Sequence, residues 1–379
     1  MRRTLQSQQG VAMIMALGAI VIIGVLMGSV LFVATQDYRV GGNTVRMTRA
    51  AAAAELGLSR VPLDWNLADN TGLTVGNTRT KAYTAPRGAT ANVVITRLPG
   101  PFFWAVSEGS AGGQGSQASA RRRYGTLFRL DLPQMNFLGA VTTQGNTTVS
   151  GNVTVRGNDT LPPGWAACGS SQNVAGAAIS PTTTVNTNGA NVSVRGSPDV
   201  LTTPAAADSN TYFTYGSSSY QSLAATANLT YAGGTLLNGV GPIAVGSVCQ
   251  TSVTPANWGE PNHTTPAGAC DTYFPVIHVL GDLKVTTGRG QGILLVDGNF
   301  TVAGNFTFTG AVIARGGLKM SGTGNKIMGA VMAASVSVDD DVSLSGNTSL
   351  LYSSCALSAA LSASAYPTRA IRRAWVDLY

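Results

Sequence analysis

The sequence predicts an α+β chain that is mainly β: a long N-terminal transmembrane helix, a small antiparallel sheet, and then a parallel β-solenoid domain. Three observations predict it. An uncharged apolar run fills residues 11–36, short strand-like runs separated by turn residues lie between 91 and 132, and alternating segments recur every 17 to 19 residues between 275 and 352. At 379 residues the chain has room for two ordinary domains besides an anchor.

Composition agrees with turn-rich β structure. Hydrophobic residues make up 44% and charged residues only 11%, against about 25% in an ordinary soluble domain. Glycine (46 residues), serine, threonine and asparagine carry the polarity instead. The formal net charge of +7 comes from scattered basic residues, with Arg121, Arg122 and Arg123 the one dense run. No basic stripe with interleaved aromatics is present, so no specific nucleic-acid partner is expected.

The first ten residues, Met1-Arg-Arg-Thr-Leu-Gln-Ser-Gln-Gln-Gly10, form a basic leader, and the apolar run starts directly after it. About 20 apolar residues at about 1.5 Å each span a bilayer core of about 30 Å. The run is longer than a secretory signal's apolar region, while an ordinary signal anchor has the same length. Arginines before the run favour a cytoplasmic leader and an extracytoplasmic bulk, anchored by a single pass in the inner membrane. The alanines of residues 50–54 and the following Glu55-Leu-Gly-Leu-Ser-Arg60 continue the helix beyond the membrane, with Gly41-Gly42 as a soft point.

Gly10 followed at once by an apolar helix, with Ala-Ala-x-Glu-x-Gly-Leu-like residues about forty positions later, resembles the type IV pilin-like proteins and most closely the PilX-type minor pilins. The resemblance covers roughly residues 8–60. It implies a prepilin peptidase that cuts after Gly10 and methylates Val11, and partners that are other pilins, major and minor. It also implies assembly into an extracellular pilus. Major pilins place a glutamate at the fifth residue after the cut, where this chain has Met15. A missing intramembrane carboxylate removes one contact with a neighbouring subunit and resembles subunits at a filament tip. Met15 and Glu55 are thus the helix positions that bear on assembly.

Residues 61–133 read as the small antiparallel region. Strands are expected at 91–98, 102–107 and 124–132, with Pro99-Gly100-Pro101, the Gly/Ser-rich residues 108–120 and Pro133 between or after them. By the resemblance, this sheet packs against the outer half of the helix. The arginine run 121–123 at the start of the third strand suits a solvated strand edge.

The solenoid is expected over 134–355. Gly281-Asp-Leu-Lys-Val, Gly298-Asn-Phe-Thr-Val, Gly317-Leu-Lys-Met and Ala334-Ser-Val-Ser-Val form one series, with starts 17, 19 and 17 apart. Gly292-Ile-Leu-Leu-Val, Gly310-Ala-Val-Ile-Ala and Gly329-Ala-Val-Met-Ala interleave as a second, with starts 18 and 19 apart. A shared period means two strands and two turns per repeat, each strand pairing with its equivalent one coil away. The apolar second series suits strands buried beneath another layer. Asn299, Asn305, Asn325 and Asn347 fall near turns, where asparagine stacks in ladders. An antiparallel sandwich would not require the common spacing. Gly139, Gly145 and Gly151 lead similar phrases, and Gly189 another. Residues 158–275 are less periodic and read as loop insertions, where binding tends to reside. Residues 356–379 read as a C-terminal capping tail with Trp375 and Tyr379 as anchors.

Four cysteines, Cys168, Cys249, Cys270 and Cys355, lack zinc-ligand spacing, and an exported domain favours disulfides. Four permit three connectivities, a choice the sequence leaves open. The short 249–270 loop is the pairing we favour, which leaves Cys168 for Cys355.

No catalysis, metal or cofactor is expected. Asp339-Asp340-Asp341 suits a solvated turn better than a calcium site, because consecutive strand residues face opposite sides. His263 lies in a loop and His278 in an apolar strand, and no HExxH, GxSxG or P-loop pattern occurs. The leading reading is a structural minor pilin that serves assembly, priming or the tip. The alternatives are a membrane-anchored tip adhesin whose 158–275 loops bind a surface ligand or polysaccharide, and a β-solenoid enzyme acting on polysaccharide.

Overall fold

The computed structural model describes residues 9–65, 70, 73–112, 119–168, 172–251, 255–263, 268–334, 342–370 and 376–378. They separate into two compact units, Met1–Arg129 with Pro367–Tyr379, and Leu130–Tyr366. The chain has the predicted elements: a long apolar N-terminal helix, a small antiparallel sheet and a large curled parallel sheet.

In the first unit the helix runs from Gln9 to Leu63, 55 residues or about 82 Å. It passes through Gly41-Gly42 unbroken. Four antiparallel strands follow: β1 (Thr78–Thr84), β2 (Thr90–Arg97), β3 (Phe102–Ala111) and β4 (Ala120–Asp131). The last three are the strands expected from sequence. β1, Thr-Arg-Thr-Lys-Ala-Tyr-Thr, carries no strand signal because it alternates between exposed and half-buried positions and presents no apolar face. Arg121, Arg122 and Arg123 lie within β4, and Glu108 of β3 is the direct partner of Arg123. Glu108 pairs with Arg121 at 3.4 Å and Arg123 at 3.5 Å, while Arg122 reaches Asp377 at 3.8 Å. The run is a cross-strand charge cluster on a solvated edge, worth at most about 1 kcal/mol per pair. The C-terminal segment Val376–Leu378 pairs antiparallel with β4. Residues from Pro367 onward thus group with this sheet and not with the solenoid's end, which corrects the expected extent of the capping tail. Trp375 and Tyr379 lie outside the described residues.

The second unit is built from parallel ladders at the predicted spacing. Leu283–Val296 pairs with Phe300–Ala314, and Phe300–Ala314 with Leu318–Ser321 and Thr323–Ala333. Each repeat carries three ladder segments, however, and the expectation of two strands and two turns is corrected. The stretch between the two series is itself a ladder: Thr287, Gly288, Arg289, Gly290 and Gln291 pair with Asn305, Phe306, Thr307, Phe308 and Thr309. This third ladder runs straight into the second series and bends at Gly292, Gly310 and Gly329, whose φ values are +109°, +136° and +143°. A Cβ on Gly310 would sit 2.0 Å from the Gly292 carbonyl oxygen, and one on Gly329 1.9 Å from that of Gly310. Stacked glycines therefore make a corner that needs no loop.

The order of the levels departs from the order of the chain. Val276–Leu280 pairs with Leu229–Ala232 on one side, so residues 229–240 begin the stack. The levels then follow the sequence up to Val342–Leu344 and Asn347–Tyr352. Those strands pair in parallel with Thr147–Ser150 and Asn152–Arg156, and Thr323–Ala333 with Gly139–Thr143. Beyond them come Ala175–Ile179, Val185–Asn188, Ser193–Arg195 and finally Val200–Thr202. The chain enters its own stack in the middle, builds one end, crosses to the other, and closes on the coil with which it began. Much of 158–275, expected as loop insertions, thus supplies the end levels. Their one-sided contacts leave Val185–Asn188 mostly exposed, which is why they lack the apolar alternation of the central coils.

Inside, equivalent positions stack as columns, such as Leu283, Phe300, Leu318 and Val342, all within 2% exposure. Each such side chain contributes about 1.5–3 kcal/mol of burial. The second-series ladder, residues 293–296, 311–314 and 330–333, is buried on both faces as its composition predicts. The helix Ser354–Ala363 packs on the three strands that carry it, with Leu357 and Ala360 in the core. Side-chain ladders hold the turns: Asn299 N–H donates to Asp282 Oδ1 at 2.7 Å, Gly317 N–H to Asn299 Oδ1 at 2.8 Å, and Asn152 Nδ2 to Asn347 Oδ1 at 3.0 Å. Disulfides join Cys168 to Cys355 and Cys249 to Cys270. The segment 335–341, with Asp339, Asp340 and Asp341, lies outside the described residues.

Candidate functional site: one helix in two environments

The helix of the first unit divides sharply along its length. From Met13 to Val33, 33 − 12 = 21 residues, every large apolar side chain is exposed by half or more, Met15 by 69%. At about 1.5 Å per residue this stretch is about 31 Å long, the thickness of a bilayer core. Its hydroxyls are satisfied by the helix itself: Ser29 Oγ donates to the Leu26 carbonyl and Thr35 Oγ1 to that of Phe32, both at 2.8 Å. Neither hydroxyl therefore needs water. The window of highest mean hydropathy reaches 2.7 and none of it is buried in the chain's own fold. Fully exposed apolar area of this extent is stable only against lipid or other apolar helices.

From Ala50 onward the same helix is a packing element. Ala50, Ala53, Ala54, Leu58 and Val61 are at most 1% exposed. Small residues let the backbones approach closely: a Cβ on Gly109 of β3 would lie 2.0 Å from the Ala50 carbonyl oxygen and 2.5 Å from the Ala54 nitrogen. One on Gly57 would lie 2.4 Å from Ser107 Oγ and 2.9 Å from Val93. The alanine run is thus more than a helix former, since it is the surface on which the sheet rests. Glu55 lies off that surface and is exposed. At the helix C-terminus, Lys81 Nζ donates to the Asp64 carbonyl, placing a cation at the negative end of the dipole. Burial, and then the Asp64 carboxylate, push the Tyr83 phenol above its ordinary range.

Of the residues singled out by sequence, Gly10, Val11 and Met15 lie in the first turns of this helix and Glu55 on its exposed face away from the sheet. The cysteines lie in the other unit. Among the described residues no group of three or more His, Cys, Asp or Glu could hold a metal ion. The histidines have partners that the sequence does not reveal. His263 stacks on Trp165 with centroids 4.3 Å apart, and His278 Nε2 meets Asp297 Oδ2 at 3.1 Å. Gln291, fully buried, donates from Nε2 to the carbonyls of Cys270, Asp271 and Tyr273 at 3.0–3.2 Å. It organises the loop closed by the Cys249–Cys270 bond, and its place in the third ladder is the signal that a two-strand repeat conceals.

No protein-family model matches the sequence, and no curated protein sequence matches it. Among solved structures, the crystal structure of the competence-associated pilin ComZ from Thermus thermophilus is similar over 88% of this chain and 96% of that one. The two are 11% identical, with a TM-score of 0.21.

Proposed function

We propose that this chain is a minor subunit of a type IV pilin-like filament, held in the inner membrane by its helix until it assembles. The observation that carries the reading is the divided helix: a bilayer-length apolar half with no internal partner, continuous with an alanine-faced half already packed on its own sheet. Such an element can leave lipid only by exchanging it for other apolar helices, and the filament core formed by other pilins supplies them. In this reading a prepilin peptidase cuts between Gly10 and Val11 and methylates the new amine. Met15 then forgoes the carboxylate contact to a subunit ahead, which suits a priming or tip position. The large β unit remains extracellular, where adhesion to a surface ligand is a second task open to a tip subunit.

The test is the mature N-terminus. The processed chain should start at Val11 with a methylated amine and 379 − 10 = 369 residues, and should co-purify with sheared filaments. Gly10→Val should abolish both. Normal cutting and assembly of that variant would reject the proposal. Loss of adhesion on removing 203–228, with filament number unchanged, would support the tip role.

A further inference from the structure

A cleft of about 380 Å³ opens in the second unit between the short helix Tyr220–Ala224 and the ends of the second-series ladder. The helix is fixed by a reciprocal cap in which Ser219 Oγ accepts from Ser222 N–H and Ser222 Oγ from Ser219 N–H, at 3.1 and 2.7 Å. Opposite it, three successive levels present His278, Asp297 and Arg315. Asp297 and Arg315 are held by backbone bonds to Val279 and Val296 at 2.9 and 2.8 Å. These three residues are 19 and 18 positions apart in the chain, and only the stacking of coils brings them together.

The groups differ in how well they are satisfied. Asp297 is engaged on one side by His278 Nε2 at 3.1 Å and stands 3.9 Å from Arg315 Nη1 on the other. The Arg315 guanidinium lies 5.6 Å from the centre of the Phe213 ring and 5.8 Å from that of Tyr220. Its side chain is half exposed, and 3.9 Å is too long for a hydrogen bond to Asp297. Stacking on the rings holds the planar fork in place and leaves its donors open. The Tyr220 hydroxyl, on a residue only 4% exposed, makes no hydrogen bond of ordinary geometry. Burial, and secondarily the nearby Asp297, hold its phenol far above the ordinary range, so it remains a donor. An open guanidinium and an unspent phenol beside a carboxylate that is already engaged make a donor-rich cleft.

We propose that this cleft binds a carboxylate-bearing sugar, the acid gripped by Arg315 and the ring hydroxyls met by Asp297, His278 and Gln221. Such an acid matches the forked donor geometry. The engaged carboxylate, flanked by an imidazole, offers hydroxyl groups an acceptor and a donor side by side. The volume suits one sugar ring. This inference is independent of the filament reading, whose tests concern the other unit.

The experiment uses the full chain in detergent with 13C-labelled histidine. The chain has two histidines, and a His263→Gln variant assigns them. Titration with D-glucuronate should move the His278 ring signals saturably while those of His263 stay fixed. Arg315→Gln should weaken binding at least tenfold. Arg315→Lys, which keeps the charge without the fork, should fall between and covers the case in which the glutamine variant does not fold. An equal response to D-glucose, or undiminished binding in both variants, would overturn the proposal. Equal affinity for acetate would overturn it as a sugar site.

Discussion

Gly109 of β3 offers a direct test of how the helix is seated. In Gly109→Ala the new Cβ would lie 2.0 Å from the Ala50 carbonyl oxygen and 2.5 Å from the Ala54 nitrogen. Both are backbone atoms, so no rotamer change relieves the clash. Ordinary contact begins near 3.4 Å, so helix and strand must separate by 3.4 − 2.0 = 1.4 Å. A gap of about 0.5–1 Å already forfeits a quarter to a half of each dispersion contact, and Ala50, Ala53, Ala54 and Leu58 all lose theirs. Overpacking costs about 1–3 kcal/mol, and the absence of any escape puts this case near about 3 kcal/mol. Hydrogen exchange read on residues 50–61 and 91–111 of the full chain in detergent should then accelerate about a hundredfold, at about 1.4 kcal/mol per decade. Gly112, with nothing within 4 Å of its Cβ position, is the control, and Gly112→Ala should stay within about 0.5 kcal/mol of the parent. Protection of Gly109→Ala within about threefold of the parent would refute the close-approach argument.

Gly310→Ala should be more severe than a typical core change. It combines a φ of +136° with a backbone oxygen 2.0 Å from the new Cβ, and a loss above about 3 kcal/mol in urea unfolding is expected. The disulfides should differ in weight. Loop-closure entropy gives about 5 kcal/mol for Cys168–Cys355, which are 187 residues apart, and about 3 kcal/mol for Cys249–Cys270, 21 apart. Denaturant midpoints of Cys355→Ser and Cys270→Ser variants, each with its partner also replaced by Ser, should fall in that order. Gln291→Leu should cost about 3 kcal/mol by leaving three carbonyls of the loop unpaired, and that loop should become the first site of proteolysis. Tyr273, whose phenol is pushed up to about 12 by burial, contributes stability fully present below the ordinary tyrosine pKa of about 10. That stability is lost as pH rises from about 10 through 12, so absorbance at 295 nm should show a late phenol ionisation accompanied by falling stability. A Tyr273→Phe variant should lose that part of the decline.

The anchor and the architecture are legible in the sequence because they depend on local periodicity. An uncharged run of bilayer length has one outlet, and a 17–19-residue recurrence of alternating segments forces parallel pairing one coil away. The second-series segments announce their double burial by composition alone, and the asparagines announce the turn ladders. β1 escapes such a reading because its hydrophilic alternation matches loop as well as strand. The third ladder escapes it because glycine corners replace the turn signals that would have marked its end.

Pairing between distant levels is a different matter. Residues 331–333 pair in parallel with 141–143, joining positions 331 − 141 = 190 apart, and no period in the sequence specifies which coil closes on which. The same holds for the cleft. His278, Asp297 and Arg315 sit in ordinary positions at strand ends, and Tyr220 in a short helix outside the repeats. Their proximity follows from level order, fixed by which edges are left unpaired when the chain returns to its own starting coil. The helix, the two kinds of sheet and the period can be read from the chain alone, because each is encoded within a short local stretch. The order of the levels and the chemistry gathered between them belong to the folded chain, since they arise only when distant edges satisfy one another's backbone hydrogen bonds.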